Sequence, residues 1–217
     1  MTASIMATEI AMQPAAAQLL EQTARSIQNP QTEPERPRPA AVVTALKTVE
    51  TQTRRDRVQL SEGSLVGRWR LGVVSPKKSA QRDRGFYFPA FAPAYLTFLA
   101  NEATGAIARI KNRVQVGPIF MEFSGPARWV GQRNLLAFDF LELAIGIGDR
   151  VVYRGPVRGE RPATKALTQE PFNRRAIGYL PFFAFCWAGE SGLAARGRSG
   201  GLALWVRDPE PTSPDRP

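Results

Sequence analysis

Gly67-Arg-Trp-Arg-Leu-Gly-Val-Val74 decides how the rest of the chain is read. Taken with a period of two, Gly67, Trp69, Leu71 and Val73 share one face and Arg68 and Arg70 the other. That is the alternation of a half-buried β-strand. Gly67 lets a backbone or a large ring come close, and Trp69 is the largest inward anchor on the strand. The chain before this stretch reads as helix and linker. The chain after it reads as further strands that need a first strand to close against.

Working forward, short apolar runs recur. Gly85-Phe-Tyr-Phe88 and Ala94-Tyr-Leu-Thr-Phe-Leu99 are aromatic runs broken by Pro89 and Pro93. Residues 106–116 read as the next strand, followed by alternation over Ile119, Met121 and Phe123. Ser124-Gly-Pro126 reads as a turn. Ala127 to Val130, Leu135 to Leu141, Phe182 to Trp187 and Leu202 to Arg207 complete the set, with a glycine-rich hairpin around Arg196 to Gly201. Runs spaced about 8–12 residues apart predict an all-β barrel or sandwich. Residues 154–179 break the rhythm with Arg154, Arg158, Arg161, Lys165, Arg174 and Arg175 against Glu160 and Glu170, a long basic loop.

Working backward, Ser61 to Ser64 is a turn and residues 40–57 a helix, with Val42, Val43, Leu46 and Val49 as its apolar stripe. Asn29 to Pro39 holds four prolines in eleven residues and reads as a stiff hydrated linker. Ala15 to Ile27 has only a thin apolar face. The expected organisation is therefore a disordered or weakly helical tail over 1–39, helix and turn over 40–62, a β domain over 63–208, and a disordered tail over 209–217.

Composition narrows the chemistry. The 217 residues contain no histidine and one cysteine, Cys186. This excludes histidine-based triads and leaves no disulfide or conventional zinc site to build. No catalytic residue, metal site or cofactor is expected. Gly146-Ile-Gly-Asp-Arg-Val151 lacks the third glycine of a dinucleotide fingerprint, and Gly189-Glu-Ser-Gly-Leu193 is not a nucleophile elbow, because position 193 is leucine. No apolar run approaches the ~18 residues needed to span a bilayer. The N-terminal stretch lacks the basic start of a secretory signal, and the chain is expected not to be secreted.

The net charge is +10. Residues 1–62 carry seven cations and seven acids, and residues 63–217 carry twenty-two and twelve, so the β domain holds the whole excess. An anionic membrane surface and nucleic acid are the two partners such an excess favours. The nucleic-acid reading rests on Arg68 and Arg70 alone and is the weaker.

Leu65-Val-Gly-Arg-Trp-Arg-Leu71, the Asn112-Arg-Val-x-x-Gly-Pro118 segment, the phenylalanine-rich strand Leu135 to Glu142, and Leu193-Ala-Ala-Arg-Gly-Arg-Ser-Gly-Gly-Leu202 occur in the order found in the plastid lipid-associated proteins, or fibrillins. The chain resembles that family over about Leu65 to Arg207, although only Glu190 stands where the family usually has an acidic cluster. The resemblance implies a lipocalin-like antiparallel β-barrel preceded by a helix. It also implies a non-enzymatic protein peripheral to thylakoid membranes or lipid bodies of a photosynthetic cell, or otherwise cytoplasmic. Its ligand would be an apolar small molecule such as a prenyl quinone, carotenoid or fatty acid. Phe98, Phe123, Phe138, Phe140, Phe183 and Phe185 are the candidate lining, as a ligand cavity or as a closed core. In barrels of this kind a Gly-x-Trp packs beneath a late arginine. Gly67 and Trp69 fit the pattern, with Arg207 or Arg196 as the cation. Arg154, Arg158, Arg161, Lys165, Arg174 and Arg175 are the candidate membrane-facing set. A bilin-attaching lyase on the same scaffold is the enzymatic alternative.

Overall fold

A computed structural model describes residues 2–31, 35–75, 84–157 and 171–208. Among these residues, two α-helices precede eleven strands. They are α1 (Thr2–Gln28), α2 (Pro39–Arg55), β1 (Gly67–Ser75), β2 (Phe86–Tyr87), β3 (Ala94–Ala100), β4 (Ile107–Val116), β5 (Ile119–Val130), β6 (Leu135–Phe138), β7 (Glu142–Ile147), β8 (Arg150–Pro156), β9 (Phe182–Ala188), β10 (Gly192–Gly197) and β11 (Leu202–Arg207). Eight strands close into an antiparallel ring, in the order β1, β3, β4, β5, β6, β9, β10, β11 and back to β1. The fold is a lipocalin-like barrel. Closure removes the sheet edges that an open sheet would leave exposed.

Two apolar cores share one wall. Inside the barrel, Trp69, Leu96, Phe98, Ile110, Leu136, Phe138, Phe185, Leu193 and Trp205 pack together. Outside it, α1 and α2 lie against β11, β10 and β9, where Leu20, Ala24, Ile27, Val42, Leu46 and Val49 meet Val73, Cys186, Ala194, Leu202, Leu204 and Val206. Strand β11 is therefore buried on both faces, with Ala203 and Trp205 inward and Leu202, Leu204 and Val206 under the helices. This explains why its sequence is a continuous apolar run rather than an alternation.

The shared wall also corrects β1. The register shifts between Leu71 and Val73, and that bulge turns Val73 into the helix-facing core, away from the face of Trp69.

Three further expectations change. The N-terminal segment is not a loose tail over residues 16–28. Leu20 and Ala24 are fully buried, and Glu21 accepts a hydrogen bond from the Ser191 amide at 2.9 Å. Gln28 Nε2 donates to the Arg207 carbonyl at 2.7 Å, and Arg70 Nη2 donates to the Ile27 carbonyl at 2.9 Å, a cation at a helix C-terminus. The stripe looked thin in isolation because its partner is a wall supplied by distant strands. The end of the linker is held as well, with Tyr87 Oη donating to the Pro37 carbonyl at 2.6 Å. Finally, Ser124-Gly-Pro126 is not a turn. It lies inside β5, where the strand stops pairing with β7 and starts pairing with β6.

That exchange produces the second architectural feature. Strands β6 and β7 run in the same direction along β5, interrupted only over 139–141, where the Asp139 and Leu141 amides still donate to the Pro126 and Ser124 carbonyls. The far parts of β4 and β5, with β7 and β8, thus continue one barrel wall past the rim as a four-stranded tongue. The hairpin of β7 and β8 accounts for Gly146 to Val151, the broken dinucleotide signature, as a β-turn and its flanks.

Candidate functional site

The end of the barrel where β1 begins is its floor. Trp69 stands opposite Arg207 in the β1–β11 register and is fully buried, and its indole Nε1 donates to the Leu65 carbonyl at 2.8 Å. The Arg207 guanidinium lies 4.2 Å from the centre of the Trp69 ring. Gly67 has φ +124, a conformation L side chains rarely adopt, and a β-carbon there would lie 3.4 Å from Arg207 Nη1. Of the two arginines that the sequence left open, Arg207 takes the floor position. Arg196 points out of the barrel and grips the Glu50 carboxylate on α2 through Nε and Nη2. That hydrogen-bonded pairing raises the Arg196 pKa further above its ordinary value.

The six phenylalanines come together in the interior in two tiers. Phe98, opposite Gly67 in the register, makes an edge contact with Phe185 at 5.9 Å, and Trp129 adds a ring at 6.0 Å from Phe185. Phe98 and Phe185 are nearly inaccessible to solvent and pack with Trp69, Ile110 and Leu136, while Trp129 is partly buried. Towards the rim, Phe138 lies 5.0 Å from both Phe140 and Phe183, and Phe140 lies 5.8 Å from Phe123. Phe123, Phe140 and Phe183 are only partly buried. The lower tier is core, whereas the upper tier presents aromatic faces near the rim.

From Phe123 the same face runs out along the tongue. Val114, Val116, Ile119, Met121, Leu143, Ile145 and Ile147 follow it by register, and Val116, Ile119 and Ile147 are each more than half exposed. This apolar sheet face has no counterpart in the sequence reading. The β7–β8 hairpin that creates it takes in residues 143–153, to which the sequence assigns no strand.

The described members of the cationic set lie on different elements. Arg154 is on β8, not in a loop. Arg158, Arg161 and Lys165 lie outside the described residues. Arg174 ends a short 3₁₀ turn, Phe172–Arg174, that folds back onto the barrel. Arg175 is held against the protein: its Nη1 donates to Asp139 Oδ2 at 2.8 Å and its side chain is 13% exposed. Arg128 on β5 donates to the Asn173 and Arg175 carbonyls and fixes this segment over the outside of the barrel. Arg68 and Arg70, on which nucleic-acid binding would depend, are both drawn to Asp208, at 3.1 and 4.0 Å.

Two other features are structural in character. A groove of about 370 Å³ lies outside the barrel, lined by Glu50, Thr53, Arg54, Arg57, Asn134 and Cys186 among others. Asn134, held at φ 49, bridges its neighbours by accepting from the Leu60 amide and donating to the Val58 carbonyl. Charged and amide side chains make up most of its lining, with Val58, Ala184 and Phe185 among the rest, which suits an apolar ligand less well than the rings do. Cys186 sits in the helix-facing core, where burial first and the Glu50 carboxylate second push its thiol up to about 12. It is a protonated packing group rather than a nucleophile. No family model matches the chain, and no curated protein matches it.

Proposed function

We propose that the protein is a non-enzymatic carrier or scaffold for an apolar small molecule, of the prenyl quinone, carotenoid or fatty-acid class. It would work at the periphery of thylakoid membranes or lipid bodies, as the fibrillin resemblance implies. One observation supports this reading above the others. The inner aromatic face of a closed eight-stranded barrel continues, through Phe138, Phe183, Phe140 and Phe123, onto an exposed apolar wall beyond the rim. Such a path offers a long apolar molecule stacking contacts at its buried end and a way in from outside, without a charged group to desolvate. The lower tier fixes how deep the ligand reaches, since Phe98 and Phe185 are packed among core side chains.

The test is organic extraction of the protein purified from its native source, followed by mass analysis, together with quenching of tryptophan fluorescence by an added prenyl quinone. Trp205 lies 5.4 Å from Phe183 and is placed to report on the upper tier. A stoichiometric apolar compound in the extract and saturable quenching that Phe183→Asp abolishes are expected. A clean extract with no saturable quenching would refute the carrier reading.

A further inference from the structure

We propose that the tongue is a membrane-docking device whose two hairpin tips insert shallowly into an anionic lipid surface. The tips stand together: the Gly148 amide donates to the Pro118 carbonyl at 2.7 Å, joining the β4–β5 turn to the β7–β8 turn. They carry Val116 at 56% exposure, Ile119 at 54%, Ile147 at 53% and Val152 at 63%, with Val151 and Tyr153 also exposed. Leaving these side chains in water costs free energy in proportion to their apolar area, and their clustering at two adjoining turns marks an interaction site.

The charge around the patch selects the partner. Arg150 is at the tip and Arg154 follows on the exposed strand β8. On the opposite face of the tongue, Arg113 lies 3.7 Å over the ring of Phe120. Asp149, beside Arg150, is the single acid within the two turns. Farther back, Glu122 stands opposite Arg113 in the register, and Glu142 is occupied by Arg109 at 3.5 Å and Ser124 Oγ at 3.1 Å. The chain as a whole carries +10. Aliphatic tips flanked by arginine suit the headgroup boundary of an anionic bilayer. The tongue also limits its own depth. Among the described residues β8 is paired on one edge only, so the backbone groups of its other edge must stay at headgroup level, where water can satisfy them.

A second copy of the chain fits less well. Antiparallel two-fold pairing centred on Val152 would set Arg150 of one copy against Arg154 of the other, and like charges directly opposite destabilise a sheet. Docking by the tips also points the upper aromatic tier at the lipid, because Phe123 lies on the same face. The inference shares with the proposed function the idea of a lipid environment, but it does not require a bound ligand.

Flotation of the full chain with vesicles tests it, using phosphatidylcholine alone and phosphatidylcholine mixed in equal parts with phosphatidylglycerol. The wild type should float with the mixed vesicles at low salt and lose most of that binding at high salt. Ile119→Asp with Val152→Asp should weaken binding more than about tenfold, since each side chain gives up its burial in the interface. Arg150→Gln with Arg154→Gln should weaken it about 25-fold, at about fivefold per cation. Should the aspartates unfold the chain, Ile119→Trp takes their place, and its emission should be quenched by brominated lipid. Unchanged flotation of either double variant, equal recovery with neutral vesicles, no brominated-lipid quenching in Ile119→Trp, or a wild-type dimer that the aspartates dissociate would each overturn the proposal. Lost docking with a co-purifying ligand retained would refute the tongue alone. Intact docking with a clean extract would refute the carrier alone.

Discussion

Arg207 closes the barrel over Trp69: the guanidinium lies 4.2 Å from the indole centre, and the two residues are opposite one another on the last and first strands. The contact therefore links the two ends of the β domain, and it does so where Gly67 leaves room for the cation. Its energy comes from the ring more than from the charge. Trp69→Ala removes the largest fully buried side chain and leaves the Leu65 carbonyl without its indole donor. We expect a loss of about 3–5 kcal/mol in chemical denaturation. Arg207→Lys keeps the charge but not the planar stacking, and should cost about 0.5–1 kcal/mol. A larger effect for Arg207→Lys than for Trp69→Ala would show that the floor is held by charge.

Helix α1 is structural. Deleting residues 1–28 would expose Leu204 and Val206, and would remove the acceptor for the Ser191 amide. The truncated chain should denature at lower urea and bind a hydrophobic dye, and Leu20→Ala alone should cost about 2–5 kcal/mol. A truncated protein with an unchanged midpoint would mean that the second core contributes nothing to stability.

This helix also shows where sequence reading runs out. The barrel was legible because Trp69, Leu96, Phe98, Leu136 and Phe138 lie at alternating positions along their strands. The floor was legible because Gly67 and Trp69 carry it locally. Helix α1 was not, since a stripe of Leu20, Ala24 and Ile27 acquires meaning only when β11, nearly 180 residues later, provides the opposing surface. The tongue was hidden for another reason. Phe123 and Met121 have the same alternation whether they face a lumen or the outside world, and only pairing with β7 instead of β6 decides which.

Cys186 gives a pH test. Its thiol is pushed up to about 12 by burial, whereas an unfolded chain ionises it near 9.0. Between these values the folded state holds a proton that the unfolded state releases, so stability falls as pH rises from about 9 to about 12 and is unaffected by this group below that window. The thiol should resist alkylation at pH 8 in the native protein and react promptly in denaturant. Cys186→Ala should flatten the decline attributable to this group. Rapid native alkylation at pH 8 would place the thiol in solvent rather than under α2.

Gly125 is the position at which barrel becomes tongue, and it admits no side chain. A β-carbon there would lie 1.9 Å from the Asp139 carbonyl oxygen, a backbone atom with no rotamer to escape into. The neighbouring bonds from the Asp139 amide to the Pro126 carbonyl, 3.1 Å, and from the Leu141 amide to the Ser124 carbonyl, 2.9 Å, are what carry the 139–141 interruption along β5. Gly125→Ala must push the two strands apart and should cost about 1–3 kcal/mol or more. Gly178→Ala, where a β-carbon meets nothing within 4 Å, is the matched control and should change stability by less than about 0.5 kcal/mol. Hydrogen exchange separates a local from a global effect. In Gly125→Ala the Asp139 and Leu141 amides should exchange faster than those of β10 and β11, because the strain is applied at the junction while the wall shared by the two cores is untouched. Uniform acceleration across all strands would mean that the tongue and the barrel open as one unit.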